Sequence, residues 1–370
     1  MKIGILTHPI HGNYGGMLQA FALQITLERM GHRTELLKYA SFPEHEFIKN
    51  ISIHTKYRIR KFLNLAGFSS TLPPIQPFLR EKIAKDFEMQ FLHTSSPVQV
   101  ADIARDNIQF DYDTWVVGSD QVWRGAYVRS IVSLPFFFLN FIPEDIRRRS
   151  ISYAASFGTD VWEGTPQETE ECKRLLNEFK AVSSREFGGV RICREILGRS
   201  CEQMPDPALL LNSTDYEHII ENEQLAPIEK DYIAAYILDE TPEKRAFMRE
   251  IADQELLDIQ EVRHHCIISP HNNRIPCSVG RWLRHLRDSR LVLTDSFHGC
   301  VFSMIFNKPF ICMENSARGT NRFESLFQMV GEQTGPLGTI HKVDKDKLKA
   351  IATQGKKYLQ RNLSPHVIHE

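Results

Sequence analysis

The stretch Leu291-Val-Leu-Thr-Asp-Ser-Phe-His-Gly299 brings a carboxylate, a hydroxyl and an imidazole together at its end. Such groups can move a proton and hold an anion. An apolar run leads in, and the equally apolar Cys300-Val-Phe-Ser-Met-Ile-Phe-Asn307 follows. The pattern reads as a strand that stops at a polar corner and turns into a buried helix. In open α/β sheets ligands bind at such corners, where a strand's carboxyl end meets free helix N–H groups. His298 and Asp295 are candidate functional residues, with Ser296 and Gly299 lining the corner. The competing structural reading makes Ser296 an N-cap, Asp295 a dipole partner and His298 a helix-terminal residue.

Other segments carry similar groups. In Val116-Val-Gly-Ser-Asp-Gln-Val-Trp123 a strand again meets a polar corner. Ser119 and Asp120 either cap the next helix, or Asp120 accepts a proton from a substrate hydroxyl. Asn13, Tyr14, Gly15 and Gly16 lie between a strand and a helix. Glycines there let backbone N–H groups approach a phosphate or carboxylate, or simply permit a tight turn. The spacing is not G-x-G-x-x-G, so no dinucleotide fingerprint is present. Arg318 and Arg322, in Ala317-Arg-Gly-Thr-Asn-Arg322, suit bidentate binding of carboxylate or phosphate, or belong to a solvated loop. Arg185, after the short strand 181–184, is open to the same two readings. No cluster has metal-ligand spacing.

The elements that must position these residues follow an α/β rhythm. Residues 2–7 read as a buried strand, 17–31 as an amphipathic helix ended by Gly31, and 34–39 as a second strand. Strands follow at 114–118, 150–154 and 181–184, and 205–211 closes this part. The polar, acidic run 212–230 reads as a linker. A second series has strands at 231–237, 266–269, 291–294 and 309–312, and a charged helix spans 344–362. The expected organisation is a first domain at 1–212 with a helical insertion near 41–92, and a second at 213–343. The segment 344–370 could pack back on the first.

The 370 residues are 42% hydrophobic and 25% charged, with net charge −1, as in a soluble globular protein of about two domains. No global field draws the chain onto nucleic acid. Seven cysteines, odd in number and scattered without a C-x-x-C pair, indicate free thiols in a reducing compartment. The first residues have an apolar core too short for a signal peptide, and the greasy segment 131–142 is too short to span a bilayer. The expectation is a cytoplasmic protein. The basic run within 49–61 alternates with apolar residues, which fits a solvated helix face or peripheral contact with an anionic membrane surface.

In order along the chain, several segments resemble the polysaccharide pyruvyl transferase family. They are Asn13-Tyr-Gly-Gly-Met-Leu-Gln-Ala-Phe-Ala-Leu-Gln24, Val117-Gly-Ser-Asp-Gln-Val-Trp123, Ser152-Tyr-Ala-Ala-Ser-Phe-Gly158, Ser183-Ser-Arg-Glu186, Asp206-Pro-Ala-Leu-Leu210, and Leu293-Thr-Asp-Ser-Phe-His-Gly299 with Lys308-Pro-Phe310. Gly16 departs mildly, since family members often carry alanine there. The resemblance implies two Rossmann-like domains facing a cleft, as in GT-B glycosyltransferases. It also implies transfer of the pyruvyl group of phosphoenolpyruvate, as a ketal, onto a lipid-linked sugar or polysaccharide precursor. In that chemistry His298 is the acid or the phosphate-binding group, Asp120 or Asp295 the base, and Arg318 and Arg322 anion clamps. No metal or cofactor is required. The alternatives are a GT-B-type glycosyltransferase using a nucleotide sugar, and a non-catalytic sugar-binding member of the fold.

Overall fold

The computed structural model describes residues 1–10, 12–40, 76–105, 108–222, 230–262, 268–269, 272–273, 278–313 and 321–364. The basic run 49–61 and most of the expected insertion lie outside the described residues. Two largely parallel sheets dominate. In the first, β1 (Lys2–Leu6) lies between β2 (Arg33–Leu36) and β3 (Thr114–Val117), and β4 (Ile151–Ser152) lies outside β3. All pairs are parallel, with Ile5 opposite Leu36 on one side and Val116 on the other. Isolated bridges lead on to a two-residue parallel pair, β5 (Ser183–Ser184) with β6 (Glu202–Gln203). Ile3, Ile5, Val116 and Val117 are fully buried, as strands covered on both faces must be.

The helix after β1, α1 (Tyr14–Arg29), is buried almost all round rather than along one stripe. Elements pack on it from several sides. Phe21 meets Phe87 of α2 (Gln76–Phe91) at 6.3 Å and Tyr216 at 6.1 Å, while Tyr14 meets Trp282 at 5.5 Å. The helix ends as expected at Gly31, whose φ is +86°. The Gly31 N–H donates to Glu28 O and the His32 N–H to Leu27 O, a Schellman closure. Further along the first half come α3 (Pro166–Glu178) and α4 (Phe187–Glu195).

The run 212–230 is not simply a linker. Asn212 accepts from Thr214 N, and Asp215 returns a bond to the Asn212 N–H, so a capping box starts α5 (Ser213–Glu221). Tyr216 on α5 is fully buried, and its ring lies 5.0 Å from Phe302. Its acidic composition is that of a helix with one buried face.

In the second half, β7 (Tyr232–Tyr236) opens a five-stranded sheet. It is followed by α6 (Pro242–Glu255), β8 (Asp258–Glu261), α7 (Val279–Asp288), β9 (Leu291–Thr294), α8 (Phe297–Ile305), β10 (Phe310–Cys312), α9 (Asn321–Met329) and β11 (Ile340–His341). The order is β8-β7-β9-β10-β11, parallel except for β11. The last helix, α10 (Lys345–Leu363), lies on the first half. Its Tyr358 hydroxyl donates to Ser152 O at 3.0 Å, and Arg361 pairs with Glu202.

One hydrophobic cluster runs from Ile3 through α1, Trp282, Val292 and Phe302 to Leu363. The two sheets therefore share a core. In each, strand order reverses beside the first strand, between β1 and β3 and between β7 and β9. Those carboxyl ends are the switch points where α/β sheets bind ligands. Among the described residues no helix is long and apolar enough to cross a membrane.

Candidate active site

The corner after β3 is built by backbone geometry. Gly118 has φ +118°, and a Cβ there would collide with Tyr153 O. Ser119 is turned inward: its hydroxyl donates to Ala154 O at 3.1 Å, and its N–H donates to Gln19 Oε1 at 3.1 Å. The Gln19 amide also donates to Thr7 Oγ1 and to Gly16 O, so this buried side chain ties together the ends of β1, α1 and β3. Asp120, at φ +63°, is left facing the crevice, its Oδ1 accepting from Gln121 N at 2.9 Å. It caps no helix. Burial opposes its charge, but the fields of His8, Arg185 and His298 and the Gln121 N–H outweigh that. They hold the carboxyl below its ordinary value.

The corner after β9 follows the expected strand-corner-helix pattern. Thr294 Oγ1 donates to Tyr236 O and accepts from Ser296 N. Ser296 is the N-cap of α8, accepting from Gly299 N. Gly299 cannot carry a side chain, because a Cβ would strike Thr294 Oγ1. Asp295 points away from the crevice chemistry. Its oxygens accept from Leu238 N at 2.6 Å and Asp239 N at 3.1 Å, and Lys244 Nζ lies at 2.7 Å. It braces the loop after β7.

His298 projects from the first turn of α8 against the other half of the molecule. A Cβ on Gly15 would fall on its Nδ1, so the helix start of α1 and the imidazole touch because residue 15 is glycine. On its other side Nε2 faces Asp206 Oδ2 at 3.5 Å, an ion-pair distance without a formed hydrogen bond. Asp206 precedes the short 3-10 helix Pro207–Leu210 and caps it, Oδ1 accepting from Ala208 N at 3.0 Å. Arg185 Nη1 donates to the same Oδ2 at 2.7 Å. Although burial works against it, the charges of His298 and Arg185 hold the Asp206 carboxyl well below its ordinary value.

Arg185 is 3% exposed, and its guanidinium lies 4.5 Å from the Phe297 ring centre. Its Nε and Nη2 are buried and have no hydrogen-bond partner among the described residues. Arg322, in the first turn of α9, reaches the same ring at 6.0 Å. Burial and the neighbouring Arg185 push its pKa down to about 10. The adjacent Glu186 is a clamp for the loop 156–158, accepting from Ser156 Oγ, Phe157 N and Gly158 N.

The structure thus gathers Asp120, Arg185, His298 and Arg322 with Gly15 and Gly16. A Cβ on Gly16 would sit 3.2 Å from Asp120 Oδ2. Tyr14 is buried against Trp282, and Asn13 is the exposed N-cap residue of α1. Arg318 lies outside the described residues. Sequence reasoning missed Asp206, Gln19 and Lys244, and overlooked His8. Only Asp206 carried a signal, an Asp-Pro pair inside a quoted motif. Among the described residues no group of three His, Cys, Asp or Glu could hold a metal ion.

Two Rossmann-like sheets, with the corners after β3 and β9 and the start of α1 brought together at Asp120, His298, Gly15 and Gly16, give the chain a GT-B-like α/β fold. It belongs to the polysaccharide pyruvyl transferase family: the model described as polysaccharide pyruvyl transferase matches residues 13–317, most of the chain. No curated protein sequence matches significantly. Solved structures of similar shape include a putative UDP-N-acetylglucosamine 2-epimerase from Listeria monocytogenes, at 12% identity and TM-score 0.46, covering 98% of this chain and 90% of that one. The UDP-GlcNAc 2-epimerase from Neisseria meningitidis, bound to UDP-GlcNAc, has 11% identity and TM-score 0.44, covering 98% and 93%. That from Methanocaldococcus jannaschii, in complex with UDP-GlcNAc and UDP, has 12% identity and TM-score 0.46, covering 98% and 99%.

Proposed function

We propose that the protein transfers the pyruvyl group of phosphoenolpyruvate onto two hydroxyls of a sugar, forming a cyclic ketal in a polysaccharide or lipid-linked precursor. The observation that carries this reading is the buried Arg185, with Nε and Nη2 unmet and a second buried guanidinium, Arg322, nearby. Asp206 already neutralises Arg185 through Nη1, and the remaining Arg185 N–H groups are left as donors for the anionic groups of a ligand. A small ligand with a carboxylate and a phosphate supplies two. His298, held between Gly15 and Asp206, protonates the methylene carbon; charge then develops at the carbon bearing phosphate and a hydroxyl attacks it. Asp120, across the crevice, stabilises the developing positive charge or takes a hydroxyl proton. Asp295 has no part in proton transfer. The acceptor enters from the side of the first sheet. No resident metal or cofactor is needed, and the protein works as a cytoplasmic enzyme that can meet a membrane surface through 49–61.

The test is donor use. Purified protein incubated with phosphoenolpyruvate and a panel of glycosides with neighbouring free hydroxyls should release phosphate only when an acceptor is present. Turnover of a nucleotide sugar, with phosphoenolpyruvate untouched, would overturn the reading.

A further inference from the structure

We propose that His8, at the carboxyl end of β1, is a second proton carrier of this site and takes the proton of an acceptor hydroxyl. The assignment rests on the pyruvyl-transfer reading. Both ring nitrogens of His8 are shielded from solvent and make no hydrogen bond among the described residues. The ring stands edge-on to Phe137, centroids 5.3 Å apart at 66°, which fixes its plane without using either nitrogen. Thr7, its chain neighbour, is pinned through Ser119 O, the Gln19 amide and the Tyr39 hydroxyl, so the backbone that presents His8 is rigid. Leaving a buried polar group unmet is destabilising, a cost that a bound hydroxyl would remove. His8 also sits at the β1/β3 switch point with Asp120, near enough to that carboxylate to act on it electrostatically.

The proton count of the reaction gives such a group work to do. The methylene carbon gains one proton and becomes methyl. Two hydroxyls each lose one as their oxygens bond to the former enol carbon. The bond from that carbon to the phosphate oxygen breaks, and the departing phosphate takes up the remaining proton. Two protons leave the acceptor and two are delivered on the donor side, so a second imidazole lets the hydroxyls be deprotonated without His298 having to recycle between steps. Asp120 is held ionised and is a weak base. A neutral imidazole is a stronger one, and the carboxylate then stabilises the imidazolium formed on His8, as in other acid–base pairs.

His8→Ala and the shape-conserving His8→Gln should lower kcat about a hundredfold while leaving KM for phosphoenolpyruvate unchanged. Free imidazole should restore part of the His8→Ala rate, which a packing role would not allow. Wild-type rates in both variants would overturn the assignment. So would a folded His8→Gln protein whose loss appears in KM for phosphoenolpyruvate, with no rescue of His8→Ala. If the wild type itself releases no phosphate with any acceptor, the pyruvyl reading fails first. If it turns over normally and both variants match it, only the role of His8 fails.

Discussion

His298 owes its position to two residues that do no chemistry themselves. Gly15 leaves the space for its ring, and the Asp206 carboxylate faces the opposite nitrogen at 3.5 Å. Gly15→Ala puts a methyl where Nδ1 stands, so the imidazole must move. We expect turnover to fall roughly a hundredfold with the fold intact, as displacement of about 1 Å can do; unchanged kcat with native circular dichroism would contradict this. His298→Ala should cost at least as much. Asp206 makes a separate statement about stability. Its folded pKa is depressed, so its contribution is complete above the unfolded carboxylate value and is lost as pH falls through that value toward the folded one. The Tm gap between wild type and Asp206→Asn should be wide near neutrality and shrink over roughly pH 5 to 3. A gap that stays constant or grows on acidification would show that the carboxylate is not held by Arg185 and His298.

At the scale of elements, α10 depends on a glycine in mid-helix. Replacing Gly355 by alanine ordinarily gains about 1 kcal/mol of helix propensity. Here the added methyl would meet Tyr153 Oη, and Leu210 Cδ2 at 2.5 Å. Both neighbours are buried, so overpacking of about 1–3 kcal/mol should win. Urea titration should show net destabilisation; a stabilised variant would mean that α10 sits less closely than described. The strand-corner-helix at 291–305 was legible because apolar runs, a cap residue and glycine are local signals. The bracing contacts of Asp295 were not legible for the opposite reason. Its partners, the Leu238 and Asp239 N–H groups and Lys244, come from the neighbouring strand's loop and from α6. Likewise, the polar character of 212–221 suggested a linker, because a helix burying one narrow face between two halves shows few apolar residues.

At the scale of the molecule, the shared core matters most. Trp282 packs on Tyr14, Tyr236 and Phe302, joining both sheets through α1. Calorimetry should therefore show one cooperative transition, and Trp282→Ala should cost about 3–5 kcal/mol. Two well-separated transitions would contradict a continuous core. The α/β class was readable from alternating strands and helices, and the polar corners from the groups that follow the strands, while a cleft between two domains came from the family resemblance. The facing of Gly15 and His298 was not readable, since it depends on how two distant helix starts meet. The central claim is that this crevice holds phosphoenolpyruvate between the arginines and His298. A crystal structure of the protein soaked with phosphoenolpyruvate tests it most directly. We expect the carboxylate and phosphate on Arg185 and Arg322, with the methylene carbon facing His298. A donor bound elsewhere, with Arg185 Nε and Nη2 still unmet, would contradict it.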